Sequence, residues 1–475
     1  MSGYLTDPGQ PLCHSGGNPV QDKPGIFKSE GDVNISGLRD KWLEENLGER
    51  TKTLLEEDKK YFLHQSLSTP CLNAIDHCEG TYFTDVEGRR YMDFHGNYVH
   101  NIGFGNREVI EKIKQQMDDL SFCVRRYTNH QAVNLAKKLA EITPGDLGKS
   151  LFAPGGTIAI ETGLKLARGF TGRFKTLSFW DSFHGATLGA ISVGGEDVFR
   201  RNAGPLMTGT EHVAPPDCYR CPYGFDNADV CNLQCAKYVE YVLEKEGDVS
   251  AVISETIRST PYIPPKGYWQ AVRKACDKYG ALLMFDEIPT AFGRTGKWFA
   301  CEHYDVVPDL LVLGKPLGGG ILPLAAIIVR EKLDVMGKYA IGHYTHEKNP
   351  VLSATALATI DYIERHNLVQ SSATLGSYAM DKLNEMKNAH RLIGDVRGKG
   401  LLIGVELVRD KVTKERAGKE AELIMYRSME KGLSFKLTMG NIITLNPPLT
   451  VSREELDRAL QIIDESLTEV EAKQI

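Results

Sequence analysis

The chain has no apolar run approaching the roughly 18 residues that a bilayer crossing requires, so no membrane partner is expected. Nor has it an excess of basic charge. Its 56 Lys and Arg stand against 62 Asp and Glu, a net charge of -6, which leaves no footprint for nucleic acid. Met1 to Asp32 is polar and rich in Gly and Pro, without the apolar core of a secretory signal; a cytoplasmic location is the expectation. Ten cysteines in 475 residues do not make a disulfide framework. Internal repeats and low-complexity segments are missing too. What is present is ordinary globular composition, 42% apolar and 25% charged, in a chain long enough for two packed lobes.

Residues 1–35 read as a loose arm, ordered only where something holds it. Residues 36–105 read as the first part of a smaller domain. They hold a charged helical stretch, Gly37 to His64, and a β-hairpin of Tyr82 to Asp85 and Arg90 to Phe94 turning at Glu87-Gly88. Residues 106–352 form the large domain, with helices over Arg107 to Leu120 and Asn134 to Ile142 and strand–helix alternation from Leu151 onward. Residues 353–475 return to the smaller domain through a helix at 371–388, strands near 400–408 and 442–445, and a closing helix at 452–471. The pattern predicts an α/β protein. Its large domain carries a mainly parallel sheet flanked by helices, beside a smaller α+β domain built from both ends of the chain.

Three apolar runs carry the chemistry. Val249 to Ile253 ends in Ser254-Glu255, Ala281 to Phe285 ends in Asp286-Glu287, and Leu310 to Leu313 ends in Gly314-Lys315. Short apolar runs bounded by turn signals suit strands buried on both faces. A helical stretch between the first two, Lys266 to Lys278, makes a right-handed parallel crossover. Ligands of such sheets bind outside the carboxyl ends of the strands, where Glu255, Asp286 and Lys315 fall. A lysine at a strand end either snorkels to solvent or loses its proton in a desolvated site and attacks an aldehyde. Asp286 either caps a helix or supplies the carboxylate that keeps a pyridinium nitrogen protonated. Gly155-Gly156-Thr157 lies between a strand and a helix, as a plain turn or as an anion cradle. Phe183, within Trp180-Asp181-Ser182-Phe183-His184-Gly185, is a core ring or a stacking surface for a flat cofactor.

Asp286-Glu287-Ile288 with Phe292-Gly293-Arg294-Thr295-Gly296, followed by Gly314-Lys315-Pro316-Leu317-Gly318-Gly319-Gly320, resembles the class III (omega) aminotransferases. These are pyridoxal-phosphate enzymes of fold type I. The likeness continues through Phe183-His184-Gly185, Thr345 with Asn349-Pro350, Val396 to Leu401 and Asn446-Pro447-Pro448-Leu449, over about residues 60–470. It implies that Lys315 bonds the cofactor aldehyde and moves the proton, and that Asp286 pairs with the pyridine nitrogen. By the same likeness Ile288 packs under the ring, Phe183 stacks above it, and His184 and Glu255 lie in the cofactor shell. Gly156 and Thr157 would hold the phosphate, joined by Thr345 of a second subunit, so a homodimer with shared sites is implied. Two departures stand out. Pro289 replaces a glutamine that contacts the cofactor's phenolic oxygen, and the phosphate turn, Gly155 to Glu161, is more apolar than usual.

Arg125-Arg126-Tyr127 falls where the family brings a loop near the substrate. Two guanidinium groups are either solvated or suited to a phosphate or phosphonate dianion. With that pair the chain resembles the family's aminophosphonate branch. An ammonia-lyase acting on a small hydroxylated aminophosphonate is therefore expected, and an aminotransferase acting on an omega-amine and a keto acid is the alternative. No resident metal is assigned to the active site. Cys218-x2-Cys221 and Cys231-x3-Cys235, in a loop-like insert, have spacing that suits either zinc or a small core of reduced thiols.

Overall fold

Seven strands make the central sheet of the computed structural model, which describes Ser29, Gly31 and residues 36–65, 68, 71–226 and 228–472. Their order across the sheet is Leu147–Ala153, Ala325–Arg330, Leu310–Leu313, Leu282–Asp286, Val249–Glu255, Lys175–Phe179 and Thr210–Val213. Ala325–Arg330 runs antiparallel to both neighbours; the other adjacent pairs are parallel. Every residue of Val249–Glu255, Leu282–Asp286 and Leu310–Leu313 is buried, which is why these runs are apolar throughout rather than alternating. Helix Tyr268–Tyr279 closes the crossover between the first two, and its Tyr268, Trp269, Val272, Ala275 and Cys276 are buried. The expected parallel crossover is there.

Three asparagines start helices that position the site. Asn106, Asn129 and Asn349 accept from the amides of Val109, Ala132 and Leu352, opening Arg107–Asp119, His130–Ile142 and Pro350–Arg365. Each such cap stabilises its helix by about 1 kcal/mol. The cap at Asn129 starts the second helix four residues before the expected Asn134.

The sequence reading differs from the structure at two helical stretches. Gly37 to His64 is two helices, Gly37–Asn46 and Glu49–Tyr61. A Cβ at Gly48 would fall 2.4 Å from the Glu87 carboxylate, which itself accepts from the Thr51 amide at 3.0 Å and so breaks the run. The cysteine insert is less loop-like than expected, since Cys231 ends helix Ala228–Cys231 and Cys235 lies in helix Gln234–Glu246. The tail also holds more than the expected two strands. Strands Ile393–Lys399, Leu402–Asp410, Ile442–Leu445 and Lys436–Thr438 form one antiparallel sheet, with helix Gly418–Glu430 between its members.

Most of the arm at 1–35 lies outside the described residues. Ser29 is buried, donates to Glu196 Oε2 at 2.9 Å and accepts at its carbonyl from the Met439 amide at 2.7 Å. No helix among the described residues is long and apolar enough to cross a membrane.

Candidate active site

Glu255 and Asp286 are directly paired across neighbouring strands, and Lys315 follows the next strand over. All three line one cavity of about 430 Å³, together with Gly155, Gly156, Thr157, Phe183, His184, Gly185 and Ile288. The sheet thus gathers at one edge the groups that its strand ends carry. Lys315 has φ 40, a left-handed value that a side chain adopts at some cost, and it sits between Gly314 and the turn that reverses the chain toward Gly319. Its Nζ lies 4.9 Å from the ring centre of Tyr98, a buried residue also at positive φ, 63.

Asp286 is 2% exposed and fully engaged. Oδ1 accepts from the Ile288 amide at 3.1 Å, and Oδ2 meets His184 Nδ1 at 2.8 Å. His184 is itself buried, and its Nε2 has no hydrogen-bond partner among the described residues. The residue beside it, Gly185, has φ 121, and a Cβ there would fall 2.3 Å from Thr157 Oγ1. That close approach locks the His184 turn against the cradle, so Phe183-His184-Gly185 and Gly155-Gly156-Thr157 act as one unit.

The cradle is the first turn of helix Gly156–Thr171, whose opening amides face outward. Thr157 Oγ1 pairs with Thr187 Oγ1 at 2.9 Å, and Thr187 donates onward to Glu161 at 2.6 Å. Ile288 closes the other side: a Cβ on Gly156 would fall 2.5 Å from its Cδ1. Phe183 lines the cavity and packs on Phe199, ring centres 4.5 Å apart, whereas Trp180 turns outward onto His212. Pro289 lines the cavity as well.

Glu255 belongs to a buried charge group. Arg258 forms an ion pair with Glu196 and reaches Glu255 Oε2 at 3.4 Å. Glu287, the second carboxylate of the strand end, points away from the cavity into protein. It accepts from the amides of Ala300 and Cys301 and from the Thr256 hydroxyl, and burial pushes it up to about 7.

The remaining expected residues lie elsewhere in the single chain. Arg125 and Arg126 are exposed on the link between helices Arg107–Asp119 and His130–Ile142, and neither lines the cavity. Thr345, in a turn just before helix Pro350–Arg365, is also outside it. Among the described residues no group of three or more His, Cys, Asp or Glu side chains is arranged to hold a metal. Burial pushes the Cys218 thiol up to about 11 and Cys235 up to about 12.

The sequence profile described as Aminotransferase class-III matches residues 64–467. The chain is 46% identical over 458 residues to the (R)-1-hydroxy-2-aminoethylphosphonate ammonia-lyase of Vibrio splendidus, covering 94% of this chain and 96% of that one. It is 40% identical over 396 residues to a leucine/methionine racemase of Thermococcus litoralis, covering 82% and 88% respectively. Among solved structures, a Bacillus anthracis aminotransferase superposes with a TM-score of 0.83 at 32% identity, covering 89% of this chain and 99% of that one.

Proposed function

The chain belongs to the class-III aminotransferase family, and on that footing we propose a pyridoxal-phosphate-dependent ammonia-lyase that converts (R)-1-hydroxy-2-aminoethylphosphonate to phosphonoacetaldehyde and ammonia. The observation that carries the reading is the convergence of Lys315, buried Asp286 and the Gly155-Gly156-Thr157 turn on one cavity, in a chain 46% identical to a lyase of that name.

The residues fit the cofactor. A helix N-terminus with a hydroxyl suits a phosphate, and a buried carboxylate oriented by His184 suits a ring N–H. The unpartnered Nε2 of His184 leaves a polar atom for a ligand to meet. When bound, pyridoxal phosphate supplies an aldehyde that bonds amines and a ring that takes up electrons from the aminated carbon.

Gly156 and Thr157, with Thr345 of the partner subunit, would hold its phosphate, Ile288 and Phe183 would pack against its ring, and Glu255 would lie beside it. Lys315 would carry its aldehyde and, as a free amine with substrate bound, would take the proton from the aminated carbon. The neighbouring hydroxyl leaves, and the enamine released takes up water to give the aldehyde and ammonia. Water lost in the elimination is regained in the hydrolysis, so the reaction balances without a co-substrate. Arg125 and Arg126 steer the phosphonate, and the working form is a homodimer.

The test is incubation of the holoenzyme with the hydroxy-aminophosphonate and no keto acid. Ammonia and aldehyde released over many turnovers support the lyase. Product that stops at one equivalent per site and resumes on adding a keto acid overturns it in favour of an aminotransferase, the second reading that family membership favours. Lys315→Ala abolishes turnover in either case, and borohydride no longer fixes cofactor to the chain.

A further inference from the structure

In the turn that opens the cradle helix, Gly155-Gly156-Thr157-Ile158-Ala159-Ile160-Glu161, only the side chains of Thr157 and Glu161 can form hydrogen bonds. They stand four positions apart on helix Gly156–Thr171, neighbours on one face. Thr187 lies between them and completes a row. Thr157 Oγ1 and Thr187 Oγ1 are 2.9 Å apart, and the Thr187 amide donates to Thr157 Oγ1 at 3.3 Å. The Thr187 hydroxyl donates to Glu161 Oε1 at 2.6 Å. Two glycines let the row close up. A Cβ on Gly185 would fall 2.3 Å from Thr157 Oγ1, and one on Gly189 would fall 2.4 Å from Glu161 Oε2. Thr157 lines the cavity, and the row leads away from it.

The row has a direction. A hydroxyl carries a single hydrogen, and a carboxylate only accepts. The Thr187 hydrogen is committed to Glu161, so Thr157 is the donor in the contact between the two threonines. Its hydrogen therefore points at Thr187 rather than into the cradle, while its oxygen accepts from the Thr187 amide. A phosphate dianion offers only acceptors, which suits the outward-facing amides of the helix but not the Thr157 hydroxyl as it stands. For that hydroxyl to join, Thr157 must break its bond to Thr187.

Resting on the cofactor reading above but not on the lyase reaction, we propose that Glu161 is a positioning residue for the cofactor phosphate. Through Thr187 it turns the Thr157 hydrogen away from the cradle, so the phosphate is held less tightly than the same turn would hold it without the carboxylate. Reversing the row needs a donor at position 161. Glu161→Gln supplies one: the side-chain amide donates to Thr187, Thr187 donates to Thr157, and the Thr157 hydrogen is left for the phosphate. No hydrogen bond is given up in that exchange, whereas the native row gives up one. One net hydrogen bond corresponds to roughly two- to tenfold in a binding constant.

The experiment dialyses holoenzyme against graded concentrations of pyridoxal phosphate and reads the bound fraction from its visible absorbance. Glu161→Gln is expected to hold the cofactor about fivefold more tightly than wild type, the opposite of what removing a supporting contact does. Loss of a negative charge near the phosphate also favours binding, and two further proteins isolate the row. Thr187→Val cuts the row with the charge left in place, and it is expected to tighten binding by about the same factor. In a Thr157→Val background, Glu161→Gln is expected to change affinity less than about twofold, because the hydroxyl it acts through is gone. Unchanged or weaker binding by Glu161→Gln overturns the proposal, as does a gain that survives in full in the Thr157→Val background. Should Glu161→Gln not fold, Thr187→Val decides, and absence of a gain overturns the proposal. A wild type that fails to bind pyridoxal phosphate overturns the cofactor reading and the proposal together, whereas normal wild-type binding with unchanged variants overturns the proposal alone.

Discussion

His184 shows how one contact sets the chemistry of another residue. Its Nδ1 is 2.8 Å from Asp286 Oδ2, both groups are buried, and no other side chain reaches that oxygen among the described residues. A hydrogen bond to a charged group is worth about 1.5–3 kcal/mol, so its loss changes an equilibrium by roughly ten- to a hundredfold. His184→Ala is expected to raise the cofactor dissociation constant by that factor. Dialysis followed by the visible absorbance of the retained cofactor measures it, and affinity within twofold of wild type would refute the role. Lys315, Asp286 and the glycine turn were legible from sequence because each stands at the end of an apolar run, where a chemical group has few structural reasons to be. His184 was legible only as part of a motif. Nothing in its neighbours announces an aspartate 102 positions away.

At the scale of elements, the Phe292-Gly293-Arg294-Thr295-Gly296 stretch proves to be a fastening rather than a catalyst. Arg294 is fully buried and donates to Leu401 O at 3.1 Å, to Asn101 Oδ1 at 2.7 Å and to Pro447 O. Three segments far apart in sequence, which hold the Val396 to Leu401 and Asn446 to Leu449 motifs, thus meet at one guanidinium. Arg294→Met removes three hydrogen bonds to a charged donor and orphans buried carbonyls, so it is expected to cost roughly 3 kcal/mol or more in urea unfolding. A loss below about 1 kcal/mol would show that the site repacks. A second fastening, at His390, is pH-sensitive. Burial alone would depress this imidazole, but Asp464 at 2.9 Å and Glu471 at 3.0 Å outweigh it and raise it above its usual 6.5. A raised folded value means that the added stability is complete below 6.5 and fades as pH climbs through the folded value. The urea midpoint of wild type is therefore expected to fall between about pH 6 and about pH 9 by more than that of His390→Asn. Parallel curves for the two proteins would exclude the contribution. Hydrophobic periodicity located helices 368–389 and 453–472 nearly to their ends, yet it carries no information about a histidine that joins them.

For the whole molecule, the place of Arg125 and Arg126 is decided by what their loop is attached to. Asn129 Nδ2 donates to Lys348 O at 2.8 Å, Phe122 packs on the His346 ring at 5.3 Å, and Asn349 Nδ2 reaches Ser121 O at 3.5 Å. The arginine loop and the Thr345 turn are one structural unit. Around it Phe122, Val124 and Tyr127 are 39%, 57% and 63% exposed, an apolar surface that a second subunit would cover. If Thr345 serves the partner's phosphate, Arg126 serves the partner's substrate, and each site needs both chains. Arg126→Ala is expected to raise KM for the phosphonate substrate about tenfold or more while cofactor affinity changes less than twofold, since a guanidinium–phosphonate pair is a charge-assisted, bidentate contact. Equal loss of both would place the residue on the cofactor instead. Mixing then separates shared from private sites. Arg126→Ala and Lys315→Ala proteins, unfolded and refolded together, form hybrid dimers in which one site combines an intact Lys315 with an intact Arg126 of the other chain. Activity at low substrate should return to about a quarter of wild type for random pairing of two symmetric subunits. A mixture no more active than the sum of its parents would mean that each arginine loop serves its own chain.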